Sequence, residues 1–318
     1  TGKFPTKLGS ETLNEINSFA ERTIVDYHPF SQSKIRDLIH PSLYPYIKNV
    51  SNVNLYVLYP HERISQIQRV QMTTSNAKNV KVFAVKGTFD DCQSIVKRLF
   101  SDKGLVNDVN LSGVNSINWA RVMAQTVYYF TASAQLGGPD KEVAFSVPTG
   151  NFGDIFAGYV AKQMGLPIAQ LMIATNINDI LARVLKTGTY EIGDVVASTS
   201  PSMDIQVSSN FERLLFEATG RNAAEVCRLM RELTEKRKFS LSSNVLDVIR
   251  VSFAAERVDE VETAKIIKDM FEKDGMLLDP HTAVGYGAAL RSDLPTSTPI
   301  VTLATAHPAK FPASVEKA

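Results

Sequence analysis

Two short apolar runs, VAFSVP (143–148) and QLMIATN (170–176), stand on either side of a helix-forming stretch at Ile155–Met164. Neither run alternates apolar with polar residues, so each reads as a strand covered on both faces. Buried strands joined through a helix specify a parallel sheet with helices packed against it. The same alternation recurs upstream. NLYVLYP (54–60) is a short apolar run closed by proline, and ERISQIQRVQMTT (62–74) follows with helical spacing. VKVFAVKG (80–87) is β-branched and ends at glycine, and DDCQSIVKRLFSD (90–102) begins with acids and gathers Ile95, Val96, Leu99 and Phe100 on one face. TPIVTLATAHP (298–308) reads as a last strand. Residues 208–275 differ, being charged and helix-forming, and are expected to form a helical insert with Ser209 or Asn210 as its first cap. The chain is therefore expected to be α/β, in three parts. These are an N-terminal helical segment (1–48), the remainder of a smaller α/β domain (49–130), and a larger α/β domain (131–318) carrying the insert.

Composition removes several function classes. Of 318 residues, 44% are hydrophobic and 21% charged, which is globular, and the formal net charge of +1 gives no reason to expect nucleic acid or an anionic membrane as partner. No run of about 18 apolar residues occurs, and TGKFPTKLGSETLNEINS at the start has no signal-peptide hydrophobic stretch, so a cytoplasmic protein is expected. Cys92 and Cys227 are far apart and make neither a disulfide framework nor a zinc site. The five histidines lack the i, i+4 spacing of a helical metal pair, and no metal is expected. Gly-x-Ser-x-Gly, Walker and Gly-x-Gly-x-x-Gly motifs are all absent.

What remains is the turn PTGNFGD (148–154), between the first buried strand and its helix. Ligands of open α/β sheets bind beyond the carboxyl ends of the strands. Gly150 and Gly153 let the backbone fold tightly and permit positive φ, and successive backbone N–H groups ahead of a helix N-terminus make a nest for an anion. Asp154 would oppose that anion unless it points away. On these residues alone the turn fits a phosphate site and a plain strand-to-helix connection equally.

The stretch PTGNFGDIFAGYVAKQMGLPI resembles the phosphate-binding loop of threonine synthases, a family of pyridoxal-phosphate enzymes. Further stretches agree in the same order: LYPHERISQIQRVQMTT, GTFDDCQSIVKRLF, VNSINWARVMAQTVYYF, IATNINDIL, SPSMDIQVSSNFERLLF, LDPHTAVGYGA and LATAHPAKF. Together they span roughly residues 52–315 and are similar to the fungal and bacterial branch with a longer helical insert. The resemblance implies the two-domain fold type II pyridoxal-phosphate architecture, with pyridoxal 5'-phosphate as cofactor. It also implies conversion of O-phosphohomoserine and water to L-threonine and phosphate.

Site residues follow from the resemblance one at a time. The loop matching Gly150, Asn151, Phe152 and Gly153 would hold the cofactor phosphate through backbone N–H groups, with the Thr149 hydroxyl as a further ligand. Thr305, in LATAHPAKF, matches the hydroxyl residue beside the cofactor ring nitrogen. Lys310, in the same motif, can anchor a substrate phosphate or be a surface cation. Asn115, Ser116, Asn118 and Arg121 border the active site in the family and would contact substrate, although Asn115 and Ser116 can equally cap a helix. Trp119 reads as core. Asp279 and Pro280 read as the N-cap and first residue of a helix, which leaves His281 open between structure and function.

One family feature is missing. The cofactor-linking lysine belongs in a motif like His-Gly-Pro-Thr-x-Ala-Phe-Lys-Asp, and a Gly/Ser/Thr-rich substrate loop belongs near it. Neither occurs, and SLYPYIKNVSNVNLYVLYP (42–60) runs straight across their place. Lys3, Lys7, Lys34 and Lys48 have the wrong neighbours. Deleting central strands would strip buried area from a domain whose net stability is only about 5–15 kcal/mol. The expectation is therefore that a segment is omitted from the sequence between about Tyr46 and Val53. A non-catalytic relative, or a phospho-lyase giving a 2-oxo acid, are the alternatives.

Overall fold

The computed structural model describes residues 54–74, 77–87, 89–109, 111–113 and 118–318. The segment 1–48, the junction at 46–53, and Asn115 and Ser116 all lie outside the described residues. The chain forms two compact units, the first ending at Asn118 and the second running from Trp119 to Ala318.

In the first unit, β1 (Leu55–Pro60) and β2 (Val80–Val85) pair in parallel from Leu55↔Val80 to Pro60↔Val85. Between them runs α1 (Gln66–Thr73). Its start is fixed by a capping box: Gln68 N–H donates to Ser65 Oγ (3.2 Å) while Ser65 N–H donates to Gln68 Oε1 (3.1 Å). The amphipathic stretch read at 90–102 is α2 (Phe89–Ser101), followed by α3 (Lys103–Val109).

The second unit opens with α4 (Trp119–Gln135) and is built on a parallel sheet. Its strands are β3 (Val143–Pro148), β4 (Ile168–Thr175), β7 (Phe253–Arg257) and β8 (Ile300–Thr302), in the spatial order β7-β4-β3-β8. Between β3 and β4 lies α5 (Gly153–Gln163); after β4 come α6 (Ile180–Thr187) and β5 (Thr189–Glu191). Then follow α7 (Phe211–Ala218), α8 (Ala223–Lys236), β6 (Lys238–Ser240) and α9 (Ser243–Arg250). After β7 come α10 (Glu260–Asp274) and α11 (Pro280–Ala289), and after β8 the short α12 (Pro312–Val315).

Side chains leave a strand on alternate faces, and β4 shows this directly. Leu171 and Ile173 enter one buried cluster with Tyr129, Phe145, Val147 and Ile155. Met172 and Ala174 enter another with Val258, Ile266, Ala283 and Val284. The sheet is thus covered on both faces, as its unbroken apolar strands require. Every residue of β3 is buried, and its one hydroxyl, Ser146 Oγ, is satisfied by the Gly285 carbonyl at 2.6 Å.

The stretch 208–275 is not purely helical. It contains β7, an edge strand of the main sheet paired with β4 from Leu171↔Phe253 to Thr175↔Arg257, and β6, which pairs antiparallel with β5. Trp119 is 43% exposed rather than core, with the Arg213 guanidinium 5.4 Å over its ring.

Helix α5 lies so close to α4 that a Cβ at Gly158 would stand 2.5 Å from the Tyr129 ring and 2.8 Å from Leu171. Alanine gains about 1 kcal/mol of helix propensity over glycine, but overpacking a well-filled core costs about 1–3 kcal/mol. Gly158→Ala is therefore expected to lower the urea midpoint of unfolding; a raised midpoint would show that α5 is free to move away.

Candidate functional site

All four strands of the main sheet are parallel, so the segments leaving their carboxyl ends share one edge. The turn 149–153 leaves β3, Asn176–Asn178 leave β4, and residues 303–310 leave β8. Backbone bonds hold these exits in register: Thr149 N–H donates to the Ala174 carbonyl (2.8 Å) and Leu303 N–H to the Ser146 carbonyl (3.0 Å).

The turn is gripped by its carbonyls. Ser208 Oγ donates to the Gly150 carbonyl at 2.7 Å, and the Asn151 carbonyl accepts from both Asn210 N–H (3.0 Å) and Asn210 Nδ2 (2.9 Å). The N–H groups of Gly150, Asn151, Phe152 and Gly153, by contrast, have no acceptor among the described residues. Backbone donors normally find partners, so successive free ones ahead of a helix point to a ligand that supplies the acceptors. Asn210 stands at the N-cap of α7, yet its side chain makes no cap bond: Nδ2 is spent on the turn and Oδ1 accepts from Arg213 Nε at 2.8 Å.

The left-handed residue of this turn is Phe152, at φ 64°, and neither Gly150 nor Gly153 takes positive φ. A bulky residue there costs about 1–3 kcal/mol and persists only where its surroundings fix it. The Phe152 ring is 1% exposed, 5.4 Å from Phe211 and 5.7 Å from Phe253, and burial of such a ring outweighs the strain. Gly150 serves close approach rather than unusual φ: a Cβ there would lie 2.7 Å from the Ser202 carbonyl oxygen.

Asp154 points away from the turn. Tyr129 Oη donates to the Asp154 carbonyl (2.9 Å) and to its Oδ1 (3.2 Å). Burial pushes the Asp154 carboxyl up to about 6, with the Tyr129 bond and the nearby Arg121 guanidinium pulling the other way. The Tyr129 phenol is raised well above its usual range, by burial first and by Asp154 second.

A second buried group stands against Gly150. The Asp279 side chain caps α11, accepting from His281 N–H (2.9 Å) and from the N–H and hydroxyl of Thr282. Burial disfavours its charge, but the bonds from His281 and Thr282 outweigh that and hold the carboxyl below the usual range. His281 Nδ1 lies 2.9 Å from Asp279 Oδ1, and Ser202 N–H donates to His281 Nε2 at 3.2 Å. Beside these, Asn176 and Asn178 hold the irregular stretch 196–204, each donating Nδ2 to Asp204 Oδ1 (2.8 and 2.9 Å).

The residues singled out from sequence are distributed as follows. Thr149 is buried and its hydroxyl donates to the Val147 carbonyl at 2.6 Å, so that proton is not aimed into the turn. Thr305 lies three residues beyond β8, which ends at Thr302, and is exposed on the shared edge. Lys310 closes a 3-10 turn (Pro308–Lys310) and is only 7% exposed, without an ion-pair partner among the described residues. Arg121 sits beside Asp154, and Asn118, in the first unit, donates Nδ2 to the Gly113 carbonyl at 2.6 Å. Ser208 and Ser202 are supports that the sequence does not single out, Asn210 grips the turn rather than capping its helix through a side chain, and His281, open between structure and function, is bonded to the Ser202 N–H.

Comparison with known proteins now bears on this edge. Residues 50–243 match the family model described as pyridoxal-phosphate dependent enzyme, and residues 282–318 match the model for the threonine synthase C-terminal region. The chain belongs to the pyridoxal-phosphate dependent enzyme family, with the fold type II architecture. A threonine synthase from Pseudomonas aeruginosa is 50% identical over 85% of this chain and 58% of its own length. Among solved structures, a PLP-bound threonine synthase from Brucella melitensis matches with TM-score 0.77 and 56% identity over 83% of this chain and 57% of its own. The threonine synthase from yeast matches with TM-score 0.77 and 45% identity over 86% and 57%. The resemblance read from the sequence is thus borne out, and the chain spans a little over half the length of these relatives.

The Asp154 geometry sets a pH dependence. Its folded-state value of about 6 lies above the ordinary 3.8, so the folded protein binds the extra proton between those values. Stability is then fully present below about pH 4 and declines as pH rises through 6. Asp154→Asn removes this decline. Urea unfolding from pH 4 to 7 is expected to show the variant gaining on the parent by roughly 1–3 kcal/mol across that window; parallel curves would mean the carboxyl is solvated.

Proposed function

We propose that these residues form the cofactor-phosphate and substrate-binding part of a cytoplasmic threonine synthase acting on O-phosphohomoserine. The observation that carries this reading is the run of four N–H groups at Gly150–Gly153, at the start of α5, that have no acceptor among the described residues, with the Gly150 and Asn151 carbonyls tied back. A dianion at a helix N-terminus collects charge-assisted hydrogen bonds from such donors. The turn therefore fits the phosphate of pyridoxal 5'-phosphate. The Asp154 carboxyl, which would oppose it, is engaged by Tyr129 Oη.

Bound there, the cofactor would supply the electron sink for proton loss at Cα and Cβ and for departure of the γ-phosphate before water adds at Cβ. The chain's own residues bind and orient. Thr305, on the same edge, is read as the hydroxyl partner of the ring nitrogen. Lys310 is read as the substrate-phosphate anchor, because a cation this buried, with no ion-pair partner among the described residues, favours an anion. Arg121 and Asn118 are read as bordering the substrate. No residue among the 318 stands in the motif of the cofactor-linking lysine.

Two experiments test this. Gly150→Ala, whose Cβ would press on the Ser202 carbonyl, is expected to weaken pyridoxal-phosphate binding about tenfold in calorimetry, a shift of 1.4 kcal/mol. Unchanged affinity would sink the phosphate cradle. The intact protein is expected to have a mass above 35.0 kDa and to release threonine and phosphate in equal amounts from O-phosphohomoserine. Phosphate released with 2-oxobutyrate would favour the phospho-lyase, and a 35.0 kDa protein that binds cofactor without turnover would favour the non-catalytic relative.

A further inference from the structure

His281 is more buried than a surface helix residue need be, at 2% exposed, and both of its ring nitrogens are engaged. Ser202 N–H donates to Nε2, so that nitrogen carries no proton. The ring proton is therefore on Nδ1, where the Asp279 carboxylate accepts it at 2.9 Å. Asp279 is itself fixed as the N-cap of α11. This links a rigid helix start, through one imidazole, to the backbone of the 3-10 turn Pro201–Met203. The next peptide, which carries the Ser202 carbonyl, matters more. The Ser202 carbonyl occupies the space where a Gly150 side chain would begin, 2.7 Å from the Cβ position, and Met203 Cα is 3.4 Å from it. Gly150 is thus braced by Ser202 on one side, while Ser208 holds its carbonyl. The Phe311 ring, 4.8 Å from the imidazole, packs His281 from the side of the segment that carries Lys310.

We propose that His281 is a positioning residue: by accepting the Ser202 N–H it holds the 201–203 turn against Gly150 and keeps the N–H groups of Gly150–Gly153 convergent on an anion. Without that acceptor, the Ser202 peptide loses its only side-chain tether to α11 among the described residues, and Gly150 loses its brace. The inference rests on the reading of the turn as a phosphate cradle.

The two nitrogens can be separated by substitution. An Asn side chain reaches only as far as Nδ1 and can keep the Asp279 bond, whereas Gln reaches the Nε2 position and can accept from Ser202. In the full chain, His281→Asn is expected to weaken binding of pyridoxal phosphate and inorganic phosphate about tenfold, with His281→Gln restoring most of it. Pyridoxal, which lacks the phosphate, should bind all three proteins alike. A measurement on the unmutated chain covers the case in which a variant misfolds: phosphate should slow amide exchange at Ser202 together with Gly150–Gly153. Equal phosphate affinity in the Asn and parent proteins, or Ser202 exchange indifferent to phosphate, would overturn the positioning role while leaving the cradle standing. Failure of the parent chain to bind phosphate at all would overturn both.

Discussion

Three hydrogen bonds, from Ser208 Oγ to the Gly150 carbonyl and from Asn210 to the Asn151 carbonyl, decide what the edge of this sheet can do. They satisfy the Gly150 and Asn151 carbonyls and leave the N–H groups of the turn without an acceptor among the described residues. A peptide turn is otherwise free to rotate its carbonyls toward any ligand, and an anion would then meet repulsion rather than a row of N–H groups. Ser208 and Asn210 precede α7, and α7 packs its Phe211 and Leu214 into the main core, so the grip is anchored to that core.

The core has a second role at the turn. It holds Phe152 in the left-handed region, where its ring completes the contact between α7 and the Phe253 end of β7. Backbone strain, aromatic packing and the direction of four N–H groups are therefore one arrangement rather than three. Electrostatics follows suit. Asp154 is placed one residue after the turn, but its carboxyl is drawn toward Tyr129 and prefers the neutral form up to about pH 6.

Much of this was legible in the residues. VAFSVP and the helix after it, the turn between them, and Asp279-Pro280 as a helix start all carry strong local signals, because burial on both faces and capping leave direct marks on composition. Strand β7 was not legible: FAAER is short and charged at one end, and it is a strand only because β4 offers an open edge. Propensity favours the glycines for positive φ, and tertiary packing places it at Phe152 instead. The supports from Ser208, Asn210 and His281 join residues 58 or more positions apart, which no local pattern encodes. Lys310 was legible as a cation, but its burial was not.

The central claim is that the turn after β3 is built to hold a phosphate by its backbone, and crystals of the protein grown with pyridoxal phosphate test it most directly. The account predicts phosphate oxygens within about 2.7–3.2 Å of the N–H groups of Gly150, Asn151, Phe152 and Gly153, with Ser208 and Asn210 still bonded to the carbonyls behind them. A phosphate bound elsewhere, or a turn that has released those carbonyls to receive it, would contradict the account.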